Sequence, residues 1–451
     1  MRKTIRATLF VVTSVVIFLL LRNIFPKNKG VLTFFLFYLF FDVYLWYWVK
    51  NALKKLSIIW NRFLSALFWF PVILLGAMVI YGCFYPFLEW NLYIKTYGIS
   101  LFLCFFFCTF FPIISLLLAD LIRLLHWITV RLLLKHSLQQ RPIQRSFSLI
   151  ATGWVIGGIF FFLLLGGMIF WQYDFRIRNV EVTISELPKS FNGFKIVQFS
   201  DVHLGNWPRK DKLERMVRMI NDCKPDVIFF TGDMFNYCTS EGYEFLSILK
   251  KLEAPSGVYA ILGNHDYGEY IRWPTEVAKM ENMRALERYY RVLGWTLLRN
   301  GNRILIRGSD SIAVLGVENW GKTKRFQRLG DVARALRGTG GMKFHVLLSH
   351  DPSYWEFVIS RDYPEIDLTL SGHTHGGQVG INLAGIHWSP VSWFSTFWGG
   401  LYSKTVSGHS QYLYVDEGAG CIGYSGRVGI LPEITLLVLK QSGSHEINSI
   451  E

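Results

Sequence analysis

Asp201-Val202-His203 closes a run of strand-like residues, Lys195–Phe199, and the same arrangement returns down the chain. Gly232-Asp233 follows Asp226–Phe230, Gly263-Asn264-His265-Asp266 follows Val258–Leu262, His350 follows Phe344–Leu348, and Gly372-His373-Thr374-His375 follows Asp367–Leu370. Each run is short and apolar, as buried strands are. Between the first two runs, Leu213, Met216, Val217 and Ile220 give Arg209–Cys223 a helical stripe, and Glu276–Leu293 and Phe326–Leu336 are patterned similarly. Strands alternating with helices, with functional groups on the loops at strand ends, predict a layered α/β domain. Its site should lie along one rim of its sheets.

The rest of this domain reads as an opening strand at Val180–Ile184, a strand at Tyr412–Val415, a Gly-rich turn at Gly418–Gly429 and a final strand at Ile434–Leu439. A segment dense in aromatics, from Trp388 to Tyr402, follows Gln378. Either it lines the approach to the site and dips toward a membrane, or it fills the core between sheets. Tryptophan and tyrosine favour the headgroup level of a bilayer.

Ahead of the α/β region the composition changes. The whole chain has 451 residues, 51% apolar and 16% aromatic, with a formal charge of +14. Up to Tyr173 there are 16 Lys and Arg against Asp42, Glu89 and Asp120; from Asp174 onward 31 Lys and Arg face 30 Asp and Glu. The basic residues flank the hydrophobic runs Val31–Val49, Leu64–Tyr85, Tyr97–Leu118 and Phe147–Trp171, each long enough to span roughly 30 Å at about 1.5 Å per residue. A shorter run, Thr8–Leu21, is a first spanning helix or an uncleaved signal anchor. The C-terminal part shows no basic patch, so a nucleic-acid partner is not expected. The expected division is a membrane domain over 1–173, with four or five transmembrane helices, a catalytic domain over 174–440 and a polar tail over 441–451.

Positive charge also sets orientation. Lys50, Lys54, Lys55 and Arg62 mark one cytoplasmic loop, and Arg123, Arg131, Lys135, Arg141 and Arg145 another, whereas the 85–97 loop carries only Lys95. The last helix then runs outward, giving a multi-pass cell-membrane protein with an extracytoplasmic domain. Three cysteines in spanning runs and three beyond them (Cys223, Cys238, Cys421), with no CxxC pair, neither demand nor exclude a disulfide.

The loop residues are carboxylates, imidazoles and an amide carbonyl, the ligands that hold a pair of divalent metals. Phosphate-ester hydrolysis needs a strong nucleophile and neutralised phosphoryl oxygens, and two metals about 3.5–4 Å apart supply both. Asp-x-His and Gly-Asp are weak signals singly. Gly-Asn-His-Asp and Gly-His-x-His say more, and all of them in order, each behind a strand, argue for a metal or catalytic site over a purely structural reading.

The string Ser371-Gly-His-Thr-His-Gly-Gly-Gln378, with Gly263-Asn-His-Asp-Tyr-Gly268 and Gly316-Val317-Glu318, resembles the calcineurin-like metallophosphoesterase superfamily, in its membrane-anchored bacterial branch, over roughly Phe194 to Gln378. The resemblance implies a two-sheet β-sandwich flanked by helices, preceded here by transmembrane helices. It makes Asp201, His203 and His375 ligands of one metal, Asp233 the bridge, and Asn264, His350 and His373 ligands of the second. His265 is placed to contact the phosphate and help the leaving group depart, with Asp266 orienting it. Purple acid phosphatases have Tyr where this chain has Asn236, so a tyrosinate-bound ferric centre is not expected. Asn236 and Arg427, in the Gly-rich turn, are the positions offered to the substrate. The metals are expected to be Mn, Fe or Zn.

The function expected is hydrolysis of a phosphodiester or pyrophosphate bond, on a membrane lipid or lipid-linked precursor; the resemblance extends to enzymes that cleave the pyrophosphate of a lipid A precursor. The alternatives are an extracytoplasmic phosphatase or phosphodiesterase for soluble phosphoesters, and a non-catalytic membrane scaffold whose phosphoesterase domain binds ligand. His387 and His409 read as surface histidines. Asp42, inside a spanning run, is an intramembrane carboxylate of the kind that marks function or a hydrogen bond between helices.

Overall fold

The computed structural model describes residues 19–133, 143–322, 328–406 and 408–442, with positions 13, 16 and 17. It divides into two compact units, Met1–Leu165 and Gly166–Glu451.

Lys29–Leu53, Ile58–Phe84, Ile94–Arg131 and Phe147–Trp171 are the described helices long and apolar enough to cross a membrane. The expected runs fall on these helices. The shorter run Thr8–Leu21 lies largely outside the described residues. Two of the helices approach closely at Gly157, where a Cβ would collide with the Cys108 carbonyl oxygen. Small residues at such contacts let membrane helices pack without a hydrophobic drive. Asp120 gathers Arg145 Nε at 2.7 Å, Arg123 Nη1 at 2.9 Å and the Tyr44 hydroxyl at 2.6 Å, tying the helix Lys29–Leu53 and the segment that leads into Phe147–Trp171 to the helix that carries Asp120.

The second unit contains β1 (Arg176–Ile184), β2 (Lys195–Phe199), β3 (Val227–Phe230), β4 (Val258–Ala260), β5 (Thr296–Leu297), β6 (Gly301–Arg307), β7 (Asp310–Gly316), β8 (His345–Leu348), β9 (Leu368–Ser371), β10 (Ile381–Leu383), β11 (Ile386–Trp388), β12 (Gly400–Val406), β13 (His409–Val415) and β14 (Glu433–Gln441). They form two six-stranded sheets, β1-β14-β2-β3-β4-β5 and β12-β13-β9-β8-β7-β6, with β10–β11 a separate hairpin. In each sheet the central strands run parallel: β2, β3 and β4 in one, β7, β8 and β9 in the other.

Successive side chains of a strand point to opposite faces, and both faces of these strands are covered, which is why they read as unbroken apolar runs. Ile196, Phe229 and Leu437 of the first sheet meet Val314, Val346 and Leu370 of the second in a fully buried core. Their neighbours Val197, Phe199 and Phe230 face outward, against Leu213, Met216 and Ile220 of the helix Lys210–Asp222 and Leu286 and Tyr290 of Glu276–Leu293. Each such side chain stabilises the layers by roughly 1.5–3 kcal/mol. The unit is thus a two-sheet α/β sandwich with helices outside.

Several expectations change. The helix read over Phe326–Leu336 shrinks to Val332–Ala335 within the described residues. Strands β5, β6, β7 and β12 and the β10–β11 hairpin were not expected. β6 is an edge strand whose apolar residues are split between faces, Leu305 buried and Ile304 and Ile306 exposed.

Candidate metal centre

Five of the six central parallel strands deliver their loops to one place. Asp201 and His203 leave β2, Asp233 leaves β3, Asn264 and His265 leave β4, His350 leaves β8, and His373 and His375 leave β9. Five of these are held in left-handed backbone: Asp201 (φ 51°), His203 (52°), Asp233 (62°), His373 (76°) and His375 (53°). A residue with a Cβ pays about 1 kcal/mol or more there, so the surroundings must impose it. Imposed strain gathered on one rim marks a functional site. Close packing helps to impose it: a Cβ on Gly263 would collide with Asp233 Oδ1.

The side chains converge in two groups, Asp201, His203 and His375, and Asp233, His350 and His373, each with its ligand atoms within 4.8 Å of one another. In the first, Nε2 of His203 and of His375 are 3.0 Å apart, and His375 Nε2 is 3.4 Å from Asp201 Oδ1. In the second, His350 Nε2 lies 3.3 Å from Asp233 Oδ2, 3.3 Å from His373 Nδ1 and 3.2 Å from Asn264 Oδ1. Asp233 Oδ2 is also 3.7 Å from His203 Nε2, so one oxygen faces both groups.

Ligands about 2.0–2.2 Å from an ion sit roughly 3.0–3.5 Å from each other, and these separations match. Asp201 Oδ1 is buried with no hydrogen-bond donor, a condition that costs about 1–3 kcal/mol or more unless a cation faces it. The mixed oxygen and imidazole set fits a binuclear centre of divalent ions.

Within the chain, Asp233 and His350 form a buried charged pair, while His203 and His375 stay neutral. Burial opposes charge on Asp233, but the imidazoles of His350, His265 and His203 hold its carboxyl well below the usual range. Burial likewise opposes charge on His350, yet the Asp233 carboxylate prevails and raises it to about 10. Burial pushes His203 down to about 3 and lowers His375, leaving neutral rings, the form that ligates metal. Behind Asp201, the Ser200 hydroxyl lies 2.5 Å from its Oδ2 and 2.9 Å from Asp416 Oδ1. Burial and the nearby Glu433 carboxylate push Asp416 well above the usual carboxylate range, and its Oδ1 also accepts the Gly418 N–H at 2.9 Å.

Comparison with known proteins agrees with this geometry. Residues 194–377 match the family model "Calcineurin-like phosphoesterase", and 21–170 match "Probable Calcineurin-like phosphoesterase, transmembrane domain". An uncharacterized metallophosphoesterase of Bacillus subtilis, YkuE, is 35% identical over 271 residues, covering 59% of this chain and 86% of that protein. The chain belongs to the calcineurin-like metallophosphoesterases. A Danio rerio transmembrane protein with metallophosphoesterase domain is 32% identical over 273 residues, 59% of this chain and 58% of its own length. The solved 5'-nucleotidase precursor from Thermus thermophilus aligns over 55% of this chain and 54% of its own, with 13% identity and a TM-score of 0.34. With its spanning helices, this metallophosphoesterase is a multi-pass membrane protein.

Three positions, Asp266 expected to orient His265 and Asn236 and Arg427 offered to the substrate, have other contacts in the structure. Asp266 does not touch the His265 ring. Its carboxylate accepts the backbone N–H groups of Asp233, Met234, Phe235 and Gly263, fixing the loop that carries Asp233. It is the Asn236 carbonyl that orients His265, 2.8 Å from Nδ1, while the ring stacks on Tyr270 at 3.7 Å. Asn236 is itself buried, so the phosphoesterase uses its backbone. Arg427 is fully buried and donates to the carbonyls of His375, Glu417, Gly418 and Gly420. It braces the His375 loop from behind.

His387 and His409 are half-buried, each facing a carboxylate: Glu417 at 2.6 Å and Asp367 at 3.1 Å. Sequence reasoning missed Ser200, Asp416 and Tyr270. Tyr270 hydrogen-bonds Asn264 Nδ2 at 2.7 Å, which turns the Asn264 carbonyl toward His350. No motif spacing signalled it.

Proposed function

We propose that this metallophosphoesterase is a membrane-resident two-metal phosphohydrolase that cleaves a phosphodiester or pyrophosphate bond of a membrane lipid or lipid-linked precursor. Asp201, His203 and His375 hold one ion, Asn264, His350 and His373 the other, and Asp233 joins them. The observation that carries this reading is Asp233 Oδ2, within 3.3 Å of His350 Nε2 and 3.7 Å of His203 Nε2. When bound, two divalent ions supply a nucleophile from water at neutral pH and neutralise the phosphoryl oxygens. His265 is held by the Asn236 carbonyl at Nδ1, which leaves Nε2 for a phosphoryl or leaving-group oxygen and its proton. The spanning helices support a lipid substrate, because they confine the enzyme to the bilayer. The positive loops support an extracytoplasmic catalytic domain.

Detergent-purified protein reconstituted with Mn, Fe or Zn tests this by phosphate release from a soluble monoester, a soluble diester and a lipid pyrophosphate in mixed micelles. The lipid should be turned over fastest, and Asp233→Asn should abolish release from all. Turnover confined to soluble esters rejects the lipid substrate. No turnover on any of them rejects the enzyme.

A further inference from the structure

The segment after Gln378 splits in two. Phe397 and Tyr402 pack in the core beside Trp355, and Trp398 is buried against the His387 ring. The preceding residues do the opposite. β10 and β11 pair Ile381 with Trp388 and Leu383 with Ile386, around a turn at Ala384-Gly385 in which both residues have positive φ. The register puts these four apolar side chains on one face and Asn382 and His387 on the other. On that second face His387 is half-buried beside Glu417, while Asn382 is exposed. The apolar face is exposed: Leu383 is 74% accessible. Trp393, 72% accessible, continues it by meeting Trp388 edge to face at 5.6 Å, and Phe394 next to it is 83% accessible. A two-stranded hairpin with an apolar face is marginal in water by itself, and an exposed patch of this kind marks an interaction surface.

What covers it is indicated by its neighbour in the same compact unit. Gly166–Trp171, the end of the last membrane span, belongs to this unit. Gly167 O accepts the Arg427 N–H at 3.3 Å. Val428, the next residue, bridges to Val379, and its carbonyl accepts the Gly380 N–H at 2.8 Å, one residue before β10 begins. The chain that leaves the bilayer, the Arg427 turn and the base of the hairpin are therefore directly bonded in series.

We propose that the apolar face of the β10–β11 hairpin, with Trp393 and Phe394, seats in the headgroup–acyl boundary of the bilayer that anchors the chain. Tryptophan beside aliphatic residues suits that layer. Because β10 starts six residues after His375, the seated hairpin holds the rim of the metal centre at lipid-headgroup height. This consequence rests on the phosphohydrolase reading; the contact itself does not.

Full-length protein in phosphatidylcholine–phosphatidylglycerol vesicles, with a photoreactive benzophenone side chain at position 383, 394 or 306, tests the contact. Ile306, 75% accessible on β6 at the sheet edge opposite β12, is the control. Lipid adducts should form at 383 and 394 in about tenfold excess over 306, given the preference of buried apolar side chains for the acyl region. Equal adducts at all three positions, or none, overturn the proposal. A variant combining Leu383→Ser, Trp393→Ser and Phe394→Ser should lose about tenfold in kcat/KM on vesicle-borne lipid phosphoester and retain its rate on a soluble one. An unchanged rate on the vesicle substrate overturns the link to catalysis. Adducts without turnover on any ester would leave the membrane contact standing and reject the hydrolase reading.

Discussion

Replacing Arg427 with methionine separates a brace from a substrate contact. The guanidinium is fully buried and donates through Nε, Nη1 and Nη2 to the carbonyls of His375, Glu417, Gly418 and Gly420, at distances of 2.5 to 3.2 Å. Methionine fills similar volume but donates nothing. Each carbonyl stranded in the interior costs about 1–3 kcal/mol, and partial relaxation brings the total to about 3–5 kcal/mol, as for other broken buried networks. For a domain of this size that corresponds to a melting temperature lower by about 10 °C. His375 loses the restraint on its carbonyl, so the first metal group should loosen and its ion be lost on dialysis. The assays are thermal unfolding in detergent, metal content after dialysis and kinetics on a soluble phosphoester. An unchanged melt and full metal, with KM raised at least tenfold, would refute the reasoning and make Arg427 a substrate ligand.

His265→Ala should keep both metals and the melting temperature but lower kcat by about 10²–10³. Asp266→Ala, which strands four backbone N–H groups, should instead lower stability by about 3 kcal/mol or more in thermal melts. Gly263→Ala should displace Asp233 and reduce metal content measured after dialysis, with little change in secondary structure by circular dichroism. Burial raises Asp367 to about 6. A carboxyl raised on folding gives stability that is present below about pH 4 and fades as pH climbs through about 6. Asp367→Asn should therefore gain on the native protein by on the order of 2 kcal/mol between pH 4 and pH 7, read from melts across that range.

The metal loops were legible because each ligand stands directly after a buried strand, and parallel strands bring their C-terminal ends to one rim whatever the sequence between them. The spanning helices were legible because composition alone separates them. The backbone at Asp201, His203, Asp233, His373 and His375 was hidden, since none is glycine and nothing in their identity announces positive φ. Arg427 was misread for a related reason. An arginine in a Gly-rich turn resembles a surface residue, and only the folded turn shows carbonyls closing around it. Asp266 was given the role that a carboxylate beside a catalytic imidazole often has, yet its neighbours in space are amides of the Asp233 loop. In the 381–388 hairpin the alternation Ile-Asn-Leu, Ala-Gly, Ile-His-Trp was present, but it led into the aromatic stretch Trp388–Tyr402, which was read as one segment.

The central claim is that two side-chain groups sharing Asp233 hold two divalent ions. The most direct measurement is the metal-to-protein ratio, by elemental analysis, of full-length protein loaded with Mn and dialysed in detergent. The account predicts about two ions per chain, falling to one or fewer in Asp233→Asn. A ratio near zero in the native chain, or a ratio of two that survives Asp233→Asn, would contradict it.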